Sequence, residues 1–275
     1  MSTPAIKSMN LYSEVDRIHN DLAAIGIGPD DSLTVDVLSQ FDQFHYFGTD
    51  AVDEAIAEAG INAKSRVLDI GSGLGGPARY LAEHTGCHVT AIELQFDLNA
   101  LAESLTERCG LSAKVEHVQA DVLTHQIEPQ SYDAMVSWLC FYHIADHQTL
   151  LSQVYKALKP GGRLYVEDLF RHGEFDEDEQ AHLSQMLYAQ YLPYRETYVA
   201  DLQGAGFAEI DFNDRTKTWR PYVAERVAAW TARRGELVAV HGEAIVDSLA
   251  AFYHTVSLLF ESGKLGGVRL LATKP

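Results

Sequence analysis

The chain carries the stretch Arg66-Val-Leu-Asp-Ile-Gly-Ser-Gly-Leu-Gly-Gly-Pro77, in which a short apolar run leads directly into four glycines. Residues 67–70 predict a buried strand, and Pro77 suits the first turn of a helix. The glycines between them tolerate positive φ and let a ligand approach the bare backbone. Because a helix N-terminus presents free N–H groups and Asp69 adds a negative charge, the stretch suits a ligand with both a carboxylate and a cation.

The glycines by themselves leave more than one kind of site open. They suit the methionine half of S-adenosylmethionine, and they also satisfy the G-x-G-x-x-G pattern of a dinucleotide site. A turn with a purely structural role has the same composition. The segments that follow along the chain have to decide between these interpretations.

Acidic side chains stand at the ends of the strands that the sequence predicts after this turn. Further strands are predicted at residues 88–93, 115–122, 132–137 and 163–168. Glu93 ends the first of these, where a carboxylate can accept hydrogen bonds from both hydroxyls of a ribose. Asp121 stands near the end of the next, where an adenine amino group could donate to it. Alternating strands and helices from residue 64 to about residue 210 predict a parallel sheet with helices on both faces.

Taken together, these features resemble the class I S-adenosylmethionine-dependent methyltransferases over roughly residues 64 to 170. The features are D-I-G-S-G-L-G-G at residues 69–76, then Glu93 and Asp121, then L-K-P-G-G at residues 158–162. The resemblance implies an α/β fold, a Rossmann-like doubly wound sheet of seven mostly parallel strands with a helical cap. It also implies a methyltransferase that uses S-adenosyl-L-methionine and releases S-adenosyl-L-homocysteine. A nicotinamide dehydrogenase does not usually carry Asp two residues before the first glycine.

The resemblance places the cofactor against the glycine turn and the strand ends. The implied cofactor-binding residues are Asp69, Gly71, Ser72, Gly73, Glu93, Leu94, Gln95, Asp121, Val122 and Ser137. No metal site is expected, because the histidines and cysteines lack metal-ligand spacing.

Residues 137–144 resemble the same segment of small-amine methyltransferases, including the phosphoethanolamine and the sarcosine/dimethylglycine groups. In those enzymes a histidine at this point lies beside the methyl acceptor, so the resemblance implies a catalytic role for His143, as proton acceptor or as positioner. The alternative is a core histidine, or a cap of the helix that follows Asp146. Residues 41–48 resemble the segment that closes over cofactor and acceptor, which makes Tyr46 the second catalytic candidate.

Substrate contacts are predicted from the polar and aromatic residues near these segments. The candidates are Gln43, His45, Trp138, Tyr188, Tyr191 and Trp219. Aromatic faces attract ammonium groups, although such residues also serve as ordinary core. The alternative role for residues 41–48 is that of an aromatic anchor that holds the N-terminal helices.

The chain is divided into four parts on this interpretation. Residues 1–63 form an N-terminal helical cap and active-site segment, with a first helix over residues 14–25, and residues 64–216 form the S-adenosylmethionine-binding core. Residues 217–265 form a helical insertion that completes the cap, and residues 266–275 form the last core strand. No internal repeat or low-complexity linker interrupts this order.

The net charge of −18 argues against nucleic-acid and anionic-membrane partners, since both need a basic surface. Three scattered cysteines predict free thiols in a reducing compartment, and with no signal peptide or long apolar run the cytoplasm is the expected location. A homodimer is the oligomeric state that we consider. The acidity also fits a salt-stressed host.

The acceptor that we favour is a small amine of the sarcosine or dimethylglycine type, methylated toward a betaine. Other small acceptors stay open, namely a thiol, a hydroxyl, phosphoethanolamine or a natural-product carbon. A catalytically silent methyltransferase-like binding subunit is a further alternative, but it predicts a degraded glycine turn or a missing acid at Glu93.

Overall fold

The computed structural model describes residues 17–275, and its centre is one sheet of seven strands. The strands are β1 Arg66–Ile70, β2 His88–Glu93, β3 Val115–Gln119, β4 Tyr132–Trp138, β5 Leu158–Arg171, β6 Ala208–Asp214 and β7 Leu265–Thr273. They lie in the order β3-β2-β1-β4-β5-β7-β6. Strand β7 runs antiparallel to both β5 and β6, and the pairs from β3 to β5 are parallel. The predicted mostly parallel sheet is confirmed.

Helices connect the strands and cover both faces of the sheet. Before and within the first half of the sheet they are α1 Arg17–Ala24, α2 Val35–Leu38, α3 Thr49–Ala59, α4 Gly76–Thr85 and α5 Phe96–Arg108. In the second half they are α6 His147–Ala157, α7 Glu177–Gln185, α8 Arg195–Ala205, α9 Thr216–Ala232, α10 Arg234–His241 and α11 Glu243–Glu261. A short 3₁₀ helix, Phe141–His143, follows β4.

The strand order reverses between β1 and β4, and this reversal locates the site. In open parallel sheets, ligands bind beyond the carboxyl ends of the strands at the point where the order reverses. The residues that end β1, β2 and β4 are Ile70, Glu93 and Trp138. The glycine turn and the 3₁₀ helix therefore start from neighbouring strand ends.

The segment Lys159-Pro-Gly-Gly162 lies inside a strand rather than before it. Helix α6 ends at Ala157 and β5 begins at Leu158, which pairs with Tyr132 of β4. The next pair is Ala134 with Arg163, so the four residues between bulge out of the ladder. The sequence predicted the strand only from residue 163, because a Pro-Gly-Gly run is typical of turns.

Three helices, α9 to α11, lie between β6 and β7, where the sequence predicts helices over residues 217–262. Helices α9 and α11 pack on the segment of residues 41–48 in one buried cluster that includes Tyr46, Trp219, Phe252 and Tyr253, and α10 contacts α1. At the N-terminal end, α1 buries Ile18 and Leu22 as its spacing predicts. Residues 1–16, which include the start of the helix predicted at 14–25, lie outside the described residues.

Within residues 17–275, no helix is both long and apolar enough to cross a bilayer. The same residues contain no group of three or more His, Cys, Asp and Glu side chains placed to hold a metal ion.

Candidate active site

The strand-end cleft, with a volume of about 140 Å³, opens beyond β1, β2 and β4. Its lining brings together Gly71, Gly73, Glu93, Leu94, Gln95, Asp121, Val122 and His143, all of which the sequence predicted as site residues. They come from the glycine turn, from the ends of β2 and β3, and from the 3₁₀ helix. Parallel strands place their carboxyl ends on one edge, and this is why residues distant in sequence meet here.

Glu93 occupies the middle of the strand-end cleft and also holds the glycine turn. Its Oε2 accepts a hydrogen bond of 2.9 Å from the Gly73 N–H, and its Oε1 accepts one of 2.9 Å from the Gln95 N–H. Burial nevertheless raises the pKa of Glu93 above its ordinary value. Each carboxylate oxygen has two lone pairs, so both can accept a further donor from a ligand.

A second pocket lies beside the glycine turn, and we call it the turn pocket. Its wall includes Asp69, Ser72, His45 and Trp138. Among residues 17–275, the buried atoms Asp69 Oδ2 and Ser72 Oγ have no hydrogen-bond partner. Burial, with a smaller effect of the Glu93 charge, raises the pKa of Asp69 to about 8. An ammonium group in this pocket would satisfy both oxygens and restore the charge of Asp69, as the methionine half of S-adenosylmethionine requires.

A buried ion pair fixes the segment of residues 41–48 over the turn. Arg79 of α4 is fully buried, and its Nη2 donates to Asp42 Oδ2 at 2.8 Å and to the Leu74 carbonyl at 2.6 Å. A Cβ on Gly76 would lie 2.7 Å from the Asp42 carbonyl oxygen. The segment is therefore packed directly against the N-terminus of α4, and loss of either charge would leave the other buried and unpaired.

His143 is half-buried at the end of the 3₁₀ helix and lines the strand-end cleft. Its Nδ1 donates to the backbone carbonyl of Tyr188 at 3.2 Å. Burial lowers the pKa of His143 to about 4, so the imidazole is neutral near pH 7. The following helix, α6, is capped by Asp146, whose carboxylate accepts from the Thr149 N–H at 3.0 Å. His143 therefore does not serve as the cap of that helix.

A third cavity, the aromatic pocket, lies under the segment of residues 41–48. Tyr46 lines it together with Phe44, Tyr142, Phe252 and Tyr253. Burial raises the pKa of Tyr46 above its ordinary value, so its hydroxyl stays protonated. The Tyr46 ring packs edge-on against Trp219, with 4.8 Å between the ring centroids.

Leu139 lines the strand-end cleft, the turn pocket and the aromatic pocket. Its φ of 53° lies in the left-handed region, which is uncommon for a branched residue. The Leu139 N–H donates to the Glu167 carbonyl at 2.8 Å, which holds this conformation. The three cavities consequently adjoin at one strained residue, as is common at functional sites.

Arg226 is a residue of the aromatic pocket that the sequence analysis did not identify. It lies on α9 with its guanidinium carbon 4.5 Å from the centroid of the Tyr253 ring. No carboxylate among residues 17–275 pairs with it. Helical spacing places Tyr222 one turn before Arg226, and this is the one sequence feature that could have indicated a place for Arg226 beside an aromatic residue. The sequence does not show which face of α9 meets the site.

Several predicted residues lie outside these three cavities. Ser137 is fully buried, and its hydroxyl donates to the Ile70 carbonyl at 2.7 Å. The Tyr191 hydroxyl donates to Asp201, and Tyr188 reaches His143 through its backbone carbonyl rather than its ring. Trp219 packs behind Tyr46. These four residues lie where they do because of packing contacts that the sequence pattern does not predict.

Gln43 also lies outside the three cavities. Its side chain donates to Asp42 Oδ1 at 2.9 Å and packs near Gly76. The segment of residues 41–48 thus brings His45 and Tyr46 to the site and uses Gln43 for its own packing.

Comparison with known proteins shows which enzymes the chain resembles. The family described as "Methyltransferase domain" matches residues 68–166. A phosphoethanolamine N-methyltransferase of Triticum aestivum is 30% identical over 203 residues, which are 74% of this chain and 39% of that protein. A glycine/sarcosine/dimethylglycine N-methyltransferase of Actinopolyspora halophila is 26% identical over 192 residues, 70% of this chain and 34% of that protein. The chain thus spans well under half the length of these curated relatives.

A solved structure shows the same fold over the whole chain. It is phosphoethanolamine N-methyltransferase 2 of Haemonchus contortus in complex with S-adenosyl-L-methionine, with a TM-score of 0.84 and 22% sequence identity. The match covers 100% of this chain and 60% of that chain.

Proposed function

We propose that this chain transfers a methyl group from S-adenosylmethionine to the nitrogen of a small amine that also carries an anionic group. The chain belongs to the S-adenosylmethionine-dependent methyltransferase family through its domain at residues 68–166. The observation that carries this proposal is the meeting of three cavities at Leu139. Two of them suit the two halves of the cofactor, and the third suits an acceptor.

The proposed cofactor contacts divide between two cavities. Glu93 and Asp121 would hold ribose and adenine in the strand-end cleft, and Asp69 with Ser72 would hold the ammonium group in the turn pocket. The glycine turn lies between them and would face the bend of the molecule. This division is supported by the unpartnered oxygens of Asp69 and Ser72, which a plain structural turn would leave unsatisfied.

The proposed acceptor lies in the aromatic pocket, with its anionic group toward Arg226. A partly buried guanidinium without a carboxylate partner is costly, and a carboxylate or phosphate of the acceptor would offset that cost. The aromatic walls exclude water and would stabilise the positive charge that the nitrogen gains when the methyl group is transferred. Sarcosine, dimethylglycine and phosphoethanolamine all combine an amine with an anion, and both curated relatives described above are named for such compounds.

When bound, S-adenosylmethionine supplies a methyl group that its sulfonium has already activated. The protein then has to align the amine, exclude water and keep the amine unprotonated, because an ammonium has no lone pair. Since the pKa of His143 is about 4, its imidazole is neutral near pH 7 and would accept a hydrogen bond from the N–H of a primary or secondary amine, which orients the lone pair. Unprotonated dimethylglycine has no N–H, so His143 would position it by contact alone. Tyr46, protonated and beside the pocket, would donate to the acceptor's anionic group.

Replacing Arg226 with Met should raise the KM for the acceptor by about 10- to 100-fold, because a charge-assisted hydrogen bond contributes roughly 1.5–3 kcal/mol. Affinity for S-adenosylmethionine should stay unchanged, since Arg226 does not line the strand-end cleft. Arg220→Met, at an exposed position of the same helix, is the matched control. If initial rates show an unchanged KM for the acceptor in Arg226→Met, Arg226 does not bind the acceptor.

Turnover on a panel of acceptors tests the proposed reaction as a whole. Formation of S-adenosylhomocysteine is measured with sarcosine, dimethylglycine, phosphoethanolamine, a thiol and a phenol. We expect turnover with the anionic amines only. Turnover with the thiol or phenol alone would overturn the amine assignment, and cofactor binding without any turnover would favour the silent binding subunit. The cytoplasmic location and the homodimer stay predictions.

A further inference from the structure

A fourth cavity, which the proposed reaction does not use, lies beyond the rings of Tyr46 and Trp219. This Glu167 cavity has a volume of about 180 Å³. It lies between the start of α3, strand β5 and the start of α9. The side chains that define its chemistry are Asp50, Glu54, Glu167, Arg215, Phe47 and Trp219.

Glu167 presents an unsatisfied oxygen in this cavity. The side chain belongs to β5, and the residue is 3% exposed. Its Oε1 accepts from the Tyr165 hydroxyl at 3.2 Å, whereas its Oε2 has no hydrogen-bond partner among residues 17–275. A buried carboxyl oxygen without a donor costs free energy, so its retention here points to a donor that arrives with a ligand.

The nearby guanidinium groups form their ion pairs with carboxylates other than Glu167, although Arg215 Nε and Arg269 Nε, like Glu167 Oε2, are buried without a hydrogen-bond partner among residues 17–275. Arg215 forms its ion pair with Glu54, and Arg269 of β7 donates to Asp211 at 2.6 Å. When Glu167 is ionised, the side chains that line the cavity carry three negative charges against the one positive charge of Arg215. A positively charged ligand would balance this excess, and an anion would meet repulsion.

We propose that the Glu167 cavity binds a small organic ammonium ion with at least one N–H group. The N–H would donate to Glu167 Oε2, and the charge would lie near the rings of Phe47 and Trp219, which attract cations. Asp50 at the start of α3 is exposed and adds a negative charge at the entrance. The Glu167 cavity differs in charge from the aromatic pocket, where the group without an ion-pair partner is the positively charged guanidinium of Arg226.

Proton release provides a signature that a purely structural Glu167 would not give. Burial raises the pKa of Glu167 to about 8, and the Glu54 charge adds to this effect, whereas the Tyr165 hydrogen bond and the charges of Arg215 and Arg269 act in the opposite direction. Below that pH the carboxyl group carries a proton, which an ammonium ion has to displace. Ammonium affinity should therefore rise with pH toward 8, and binding at pH 7 should release a proton into the buffer.

Calorimetric titration with methylammonium chloride tests the proposal, with saturating S-adenosylhomocysteine present to fill the turn pocket at Asp69 and sodium chloride keeping the ionic strength constant. The wild-type chain should bind one methylammonium, with an enthalpy that depends on the ionisation enthalpy of the buffer. Glu167→Gln should weaken binding by at least about tenfold and remove the buffer dependence. Asp146→Ala, which removes a carboxylate that lines none of the four cavities, should bind methylammonium as the wild type does.

Thr218→Lys provides a second test that does not alter a buried group. Thr218 is exposed at the rim of the cavity, so the variant keeps the core intact and brings its own ammonium to the opening. It should lose methylammonium binding even if Glu167→Gln fails to fold. The proposal is overturned if the wild type does not bind methylammonium, if Thr218→Lys binds it normally, or if a folded Glu167→Gln variant binds it as the wild type does.

Discussion

Gly73→Val is expected to abolish binding of S-adenosylmethionine while the fold is retained. Gly73 has φ of +55°, and a Cβ built on it would meet no atom within 4 Å, because the space beyond it belongs to the cleft. A valine side chain would occupy that space, and its strain at positive φ would shift the N–H that donates to Glu93. Calorimetry should show no detectable cofactor binding, and far-ultraviolet circular dichroism should resemble that of the wild type.

Two other glycines separate the effect on the ligand from the effect on the backbone. Gly60, the C-cap of α3, has φ of +67° and no neighbour within 4 Å of a built Cβ, so Gly60→Val carries a comparable strain away from the cleft. That control should lose stability and keep cofactor affinity. A Cβ on Gly71 would lie 2.3 Å from Cys140 Sγ, so Gly71→Ala should lower the melting temperature as well. If Gly73→Val binds S-adenosylmethionine normally, the turn has a structural role and the site lies elsewhere.

His143→Ala is expected to slow single-turnover methyl transfer by about 10²- to 10⁴-fold, the range typical of a positioned group that handles a proton. Affinity for S-adenosylmethionine should change little, because adenine, ribose and ammonium are assigned to other residues. The rate of the wild-type enzyme–substrate complex should show no step near pH 6.5 due to His143, since burial lowers its pKa to about 4. Rapid-quench measurement at saturating substrate gives this rate directly.

Asp146→Ala is the matched control for His143→Ala. Asp146 caps α6, so its loss should lower the melting temperature slightly and leave turnover per folded molecule unchanged. Tyr46→Phe should affect the same chemical step as His143→Ala, because the cavities that they line adjoin at Leu139. The double variant should accordingly be less than additive. A His143→Ala enzyme with the full single-turnover rate and a lower melting temperature would leave His143 as a packing residue.

The sequence by itself determined the sheet and the cofactor side of the site. Periodic apolar runs predicted the strands, and the alternation of strands with helices required parallel pairing and right-handed crossovers. Once the strands are parallel, the residues that follow them meet at one edge. The glycine turn, Glu93, Asp121 and His143 could therefore be placed together without coordinates, and the structure brings them to one cleft.

The tertiary structure alone decided the acceptor side, where packing between distant elements sets the chemistry. Arg226 enters the aromatic pocket because α9 and α11 pack on residues 41–48, whereas Ser137 donates to the Ile70 carbonyl across two paired strands. Asp146 and not His143 caps α6, although both precede the helix. The low pKa of His143 comes from burial by other segments. Local periodicity specifies which face of an element is apolar, but desolvation and charge pairing depend on the element that covers that face.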